Sequence, residues 1–173
     1  MDNLSWNPND YNDTKSLSQI YRTLSGDGQA DIPFIVWLLE NPKSPISLPG
    51  NINLFNHDCM HILLGMGVTN IEEAFVVGFC MGNATDTTHR HKMFFKIIAS
   101  TLFPNIWRFK TKDILSYDAG FNYGKHLKLR NIHLTDFRKY MKTSLHDIRH
   151  NLGIYKYYVS EYIETVNTIK NEE

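Results

Sequence analysis

The strongest constraint on this chain is an apolar run that also carries two histidines and an aspartate. Leu54 and Phe55 precede His57-Asp58-Cys59-Met60-His61, and Ile62, Leu63 and Leu64 follow it. Ionisable side chains are seldom buried unless they are paired or bound to metal. On an α-helix each residue advances ~100°, so His57 and His61 lie only ~40° apart, one turn from each other. Asp58 falls ~60° further round, close enough for its carboxylate to lean toward the same point. Glu73 follows after eleven residues and must come from a second element folding back on the first. Gly65 and Gly67 offer a helix stop, and Thr69 or Asn70 offers an N-cap for the next helix.

Two readings of this constellation are open. In one, His57, Asp58, His61 and Glu73 bind a single divalent metal. Zn²⁺ suits the mixture of nitrogen and oxygen donors best, with Fe²⁺, Mn²⁺ or Mg²⁺ as alternatives. In the other, Asp58 pairs with a histidine or caps a helix, and Glu73 closes a capping box with Asn70. The short pattern alone is unspecific, because it recurs at His146-Asp147-Ile148-Arg149-His150. There Leu145, Ile148 and Leu152 carry an apolar stripe, the neighbours are basic, and Tyr162 stands eleven residues beyond His150. That copy reads as a solvated helix face.

The rest of the chain predicts an all-α fold: a single-domain bundle of about seven or eight helices spanning residues 1–173. Residues 1–13 read as a flexible N-terminal segment. A first helix is expected over 14–24 and a second over 33–40. Pro42, Pro45, Pro49 and Gly50 make 41–52 a loop. Further helices are expected over 54–64, 70–81, 88–103 and 112–129. Phe137, Met141, Leu145, Ile148 and Leu152 have helical spacing from residue 135, as do Tyr155, Tyr158, Val159, Tyr162, Ile163 and Val166 in the last segment. Strand-like alternation is scarce.

Composition narrows the function classes. The formal charge is zero, so the basic footprint of a nucleic-acid binder is absent. Two cysteines, Cys59 and Cys80, are too few for a disulfide framework and point to a reducing compartment. Cys59 sits ~160° from both histidines, a poor ligand position, so core packing is its expected role. The first fifteen residues are rich in Asn and Asp and resemble neither a secretion signal nor a transit peptide. No apolar stretch is long enough to cross a bilayer. A cytoplasmic protein, peripheral to the inner face of a membrane at most, is the expectation; a homodimer remains open. Ten Phe, nine Tyr and three Trp could line an apolar cavity.

Two further places could hold a substrate. His89, Arg90 and His91 follow Asp86-Thr87-Thr88 at a helix start, where a phosphate or carboxylate could bind; an exposed polar loop is the plainer reading. Gly120 and Gly124 lie on one helix face, one turn after Tyr117. Each Gly costs ~1 kcal/mol against Ala inside a helix, which implies close packing or room for a flat ligand. Lys125 could then reach an anionic head group, although a surface lysine is the default. The aromatic run from Met93 to Phe109 reads as core, or as one wall of an apolar groove.

His57, Asp58, His61 and Glu73 resemble, position for position, the HDxxH-x11-E signature of the coenzyme Q (ubiquinone) biosynthesis protein 4 family. Ala119-Gly120-Phe121-Asn122-Tyr123-Gly124-Lys125, with Leu127, Leu129 and Asn131, is similar to a second segment of that family. Ile148-Arg149-His150-Asn151-Leu152-Gly153-Ile154 is similar to its C-terminal one. The resemblance covers roughly residues 53 to 154. Residues before 53 and the 85–92 segment depart from the pattern, and the short chain fits a bacterial relative. The resemblance implies an α-helical zinc protein of ubiquinone biosynthesis at or near a membrane. It also implies a role in removing the ring carboxyl of a prenylated benzoate, and in organising other quinone-biosynthesis enzymes.

Three functions follow as expectations. The first is a metal-dependent lyase or oxidative decarboxylase acting on a prenylated quinone precursor. The second is a non-catalytic scaffold that binds an isoprenoid lipid for partner enzymes and uses its metal structurally. The third and weakest is an HD-type phosphohydrolase, suggested by adjacent His57 and Asp58; such sites also use an upstream histidine, and no histidine precedes His57.

Overall fold

A computed structural model describes residues 14–23, 36, 39–154, 164 and 168. The described residues form six helices and no strand. These are α1 (Leu17–Tyr21), α2 (Leu54–Leu64), α3 (Asn70–Asn83), α4 (His89–Thr101), α5 (Thr111–His126) and α6 (Leu145–Leu152). The all-α expectation holds, with a count slightly below seven or eight. The proposed N-terminal segment, most of the 33–40 helix and most of the final helix lie outside the described residues.

Local chemistry sets the element ends. In α2 the Asn53 side chain accepts from the Asn56 N–H at the start, and Gly65 ends the helix at φ +66, a left-handed conformation that glycine adopts without strain. The Met66 N–H then returns to the His61 carbonyl at 2.9 Å. Buried Arg149 of α6 donates to the Leu63 and Ile62 carbonyls at 2.9 and 2.8 Å, so the last turn of α2 is satisfied from across the fold. Thr69 and Glu72 form a capping box that starts α3 only a few residues later. The short 65–69 connection thus folds α3 back beside α2.

The helix expected from residue 135 is divided. Two 3₁₀ turns, Ile132–Leu134 and Phe137–Tyr140, precede α6. Asp136 and Ser144 each accept a backbone N–H and start new elements, overriding the apolar periodicity. Phe137, Leu145, Ile148 and Leu152 are nevertheless all buried, in one cluster with Met60, Leu63, Phe75 and Phe79.

α3 and α5 run parallel and touch backbone to backbone. A Cβ built on Gly120 would stand 2.1 Å from the Phe75 carbonyl oxygen, and one on Gly124 2.2 Å from that of Phe79. Gly78 and Gly82 of α3 make the reciprocal approach to Tyr117 and Phe121. A second apolar cluster packs α4 on this pair through Phe95, Ala99, Phe103, Phe109 and Tyr117. The aromatic run is therefore only half core: Met93, Phe94 and Ile97 remain 43%, 49% and 55% exposed. No helix among the described residues is long and apolar enough to cross a membrane.

Candidate metal centre

The α2–α3 return brings Glu73, in the first turn of α3, against the histidine face of α2. Glu73 Oε2 lies 3.3 Å from His61 Nε2 and 3.6 Å from His57 Nε2. The two imidazoles meet edge to face, with ring centroids 4.7 Å apart. His57, His61 and Glu73 each present a donor atom within 4.8 Å of the others, the one such group among the described residues. Donors bound at about 2.0–2.1 Å around a tetrahedral ion stand ~3.3 Å from one another, so the spacing already suits Zn²⁺.

Hydrogen bonding supports the same fit. His61 Nδ1 lies 2.7 Å from the Gly67 carbonyl oxygen, an acceptor only, so this nitrogen carries the proton. In the neutral ring Nε2 is then left with its lone pair toward Glu73, the orientation that outer partners impose on metal-bound histidine. The Nε2 atoms of both His57 and His61 are buried and make no well-directed hydrogen bond. Two such imidazole nitrogens facing one carboxylate form a donor set suited to a divalent cation.

Charge is divided unequally among the three. Burial, reinforced by His61, pushes His57 down to about 4 despite Glu73 nearby. Burial also opposes charge on His61, but Glu73, the Gly67 carbonyl and Asp58 together outweigh it and raise its pKa. For Glu73 burial is again outweighed, here by the two imidazoles, and its carboxyl is held down at about 2. Without metal these shifts favour charge on His61 and Glu73, 3.3 Å apart, and disfavour it on His57.

Asp58, expected as a fourth ligand, lies outside this group. Its Oδ2 accepts a hydrogen bond from the Tyr21 hydroxyl at 3.1 Å, tying α2 to α1. Burial raises its pKa despite that bond. The physical reason for this placement is angular: one helical step turns residue 58 off the His57–His61 face, and Tyr21 meets it there.

The expected substrate residues do not assemble. The close approach of the Phe75 and Phe79 backbones to Gly120 and Gly124 leaves no room for a flat ligand. Tyr117 is fully buried, stacked on Phe95, with its hydroxyl 2.8 Å from Met81 Sδ. His89, Arg90 and Lys125 are exposed, and the His91 ring accepts from the Thr88 N–H as part of a helix cap. The later HDxxH copy is a surface feature: His146 and His150 are exposed, and Asp147 accepts from the Ser144 hydroxyl at 2.8 Å.

Sequence reasoning missed Glu40. Burial, then the charge of Glu73, pushes its carboxyl up to about 8, and it lines one small cavity together with His57. Nothing in the motif signals it; Glu40 only ends an apolar run before the Pro-rich loop. No protein family, curated protein or solved structure matches the chain. The resemblance to the ubiquinone biosynthesis family therefore rests on the motifs quoted above.

Proposed function

We propose that this chain binds one divalent metal, Zn²⁺ first, through His57, His61 and Glu73, and that it acts in quinone or isoprenoid-lipid metabolism. The observation that carries the metal reading is the convergence of two buried Nε2 atoms, His57 and His61, on Glu73 Oε2 at 3.6 and 3.3 Å. The metabolic setting is supported by the motif resemblance. A bound Zn²⁺ supplies Lewis acidity toward a substrate carboxylate or phenolate, the chemistry required to release a ring carboxyl as CO₂. The protein's own part is orientation and access. Gly67 fixes the His61 tautomer, the α2–α3 return holds Glu73 in register, and Glu73 and His57 keep 23% and 15% of their side-chain surface open to solvent.

The scaffold reading has one observation in its favour. The cavity beside His57 measures about 20 Å³, room for a water and not for a prenylated ring. A metal that pins α2 to α3 while the lipid lies elsewhere would suit that volume. Peripheral membrane contact belongs to either reading and is supported by exposed Met93, Phe94 and Ile97 on the helix that carries Arg90.

The experiment is metal analysis of purified wild type, His61→Ala and Glu73→Ala. One equivalent in wild type, lost in both variants, is the expected outcome. Equal metal content in all three would remove the site. Zinc-dependent release of CO₂ from a prenylated hydroxybenzoate separates enzyme from scaffold.

A further inference from the structure

Glu40 is held beside a cavity that His57 also lines, although no motif contains it. The Ile52 N–H donates to its carbonyl at 2.9 Å, and the Leu48 N–H donates to the Leu39 carbonyl at 2.8 Å, so the Pro-rich loop closes back on the 39–40 segment. Gly50, at φ +84, presses that loop onto α3 so closely that a Cβ would stand 2.5 Å from the Met81 backbone nitrogen. Loop, Glu40 and α3 are thereby clasped together.

The cavity they enclose, about 20 Å³, is lined by Glu40, Gly50, His57, Val77 and Cys80 among others. It has room for a single water, and a buried water needs two to four polar partners. Its wall is mostly apolar. The Asn51 amide nitrogen donates to the Leu48 carbonyl at 2.9 Å, and Glu40 and His57 bring titratable side chains to the lining. A metal-bound histidine characteristically hydrogen-bonds a carboxylate, carbonyl or water outside the ion's own shell.

We propose that Glu40 is a positioning residue of the metal centre: its carboxyl hydrogen-bonds one water held in this cavity, which it shares with His57 alone of the three donors. Glu40 stands seventeen positions before the motif and acts beside the donors, not as one of them. The inference rests on the metal reading above. Outer partners that orient a metal's ligands typically change affinity 10–100-fold when removed.

The test is Zn²⁺ affinity by chelator competition on wild type, His61→Ala, Glu40→Leu, Glu40→Gln and Asp58→Asn, with melting of each zinc-free protein. Glu40→Leu is expected to weaken Zn²⁺ about 10–100-fold. Glu40→Gln keeps shape and one acceptor but cannot ionise as a carboxyl can when a cation binds nearby, and is expected to weaken it about threefold to tenfold. Asp58→Asn should stay within about threefold of wild type. A Glu40 that only fills space would shift zinc-free melting and leave the affinity unchanged, which overturns the proposal. So does an Asp58→Asn loss as large as that of Glu40→Leu. If Glu40→Leu does not fold, a Glu40→Gln affinity equal to wild type overturns it. Failure of wild type itself to bind Zn²⁺ sinks the metal reading and this inference with it; tight wild-type binding, lost in His61→Ala and indifferent to Glu40, sinks this inference alone.

Discussion

Gly120→Ala tests the parallel α3–α5 contact that sets Glu73 in place. Its new Cβ would lie 2.1 Å from the Phe75 carbonyl oxygen, 2.9 Å from the carbonyl carbon and 3.1 Å from Cα. A relaxed C···O contact is about 3.3 Å, so the helices must separate by ~1.2 Å at this point. The obstacle is backbone, which cannot swing aside as a long side chain can. Phe75, Phe79 and Tyr117 at the interface are fully buried and would lose contact as it opens. Overpacking of this kind costs about 3 kcal/mol at the upper end of its usual range, while the better helix propensity of Ala returns ~1 kcal/mol. The net loss is about 2 kcal/mol, or a fall of ~4–8 °C in Tm for a chain of this size. Urea denaturation of the zinc-free protein measures it. Asn122→Ala, exposed on the same helix, isolates propensity and should gain about 0.5 kcal/mol. Because Glu73 lies half a turn before Phe75, Gly120→Ala should also weaken Zn²⁺ binding. A Gly120→Ala protein as stable as Asn122→Ala would refute the close approach and the account of how Glu73 is held.

The remaining predictions concern pH and the surface. His57 has a folded pKa of about 4, below its ordinary value, so the unfolded chain binds more protons between the two. Its contribution to stability is complete above pH ~6.5 and is lost as pH falls through that window toward 4. Glu73, held at about 2, loses its contribution lower still, between pH ~4.5 and 2. His61 has the opposite sign: its raised pKa favours the folded state below pH ~6.5, and that gain disappears as pH rises through the folded value. Urea midpoints of zinc-free wild type and His57→Gln from pH 7 to 4 check this; a parallel decline in both would contradict the assignment. Zn²⁺ must displace the His61 proton, so its affinity should fall as pH drops below neutrality. For the surface, wild type should sediment with anionic phospholipid vesicles and Phe94→Glu/Ile97→Glu should not, with Tm unchanged; equal sedimentation would remove the membrane contact.

Helix positions were legible where local chemistry and periodicity agree. α2 falls on residues 54–64 as expected because Asn53 and Gly65 mark its ends in the sequence. Agreement fails near residue 136, where Asp136 and Ser144 restart the backbone while the apolar residues keep helical spacing. His57, His61 and Glu73 were legible for a related reason: a four-residue interval fixes one face, and a short capped return allows one partner to meet it. Asp58 falls outside the group because angular closeness on a helix does not choose between two neighbours, and Tyr21, its partner, lies thirty-seven residues away in sequence.

Glu40 marks the limit of such reading and the reason for it. Its proximity depends on Gly50 pressing a loop onto the α3 backbone, a contact that no periodic pattern encodes. Glycines at Gly120 and Gly124 pose the same difficulty, since two backbones touching and a slot for a ligand require the same residues in sequence. What separates them is the partner surface, the Phe75 and Phe79 carbonyls, which a single chain read in order does not place. Motif spacing reports the donors that share a helix or its immediate return. The residues that tune those donors arrive through long-range packing, and Glu40 is where a site built this way departs from the composition of its signature.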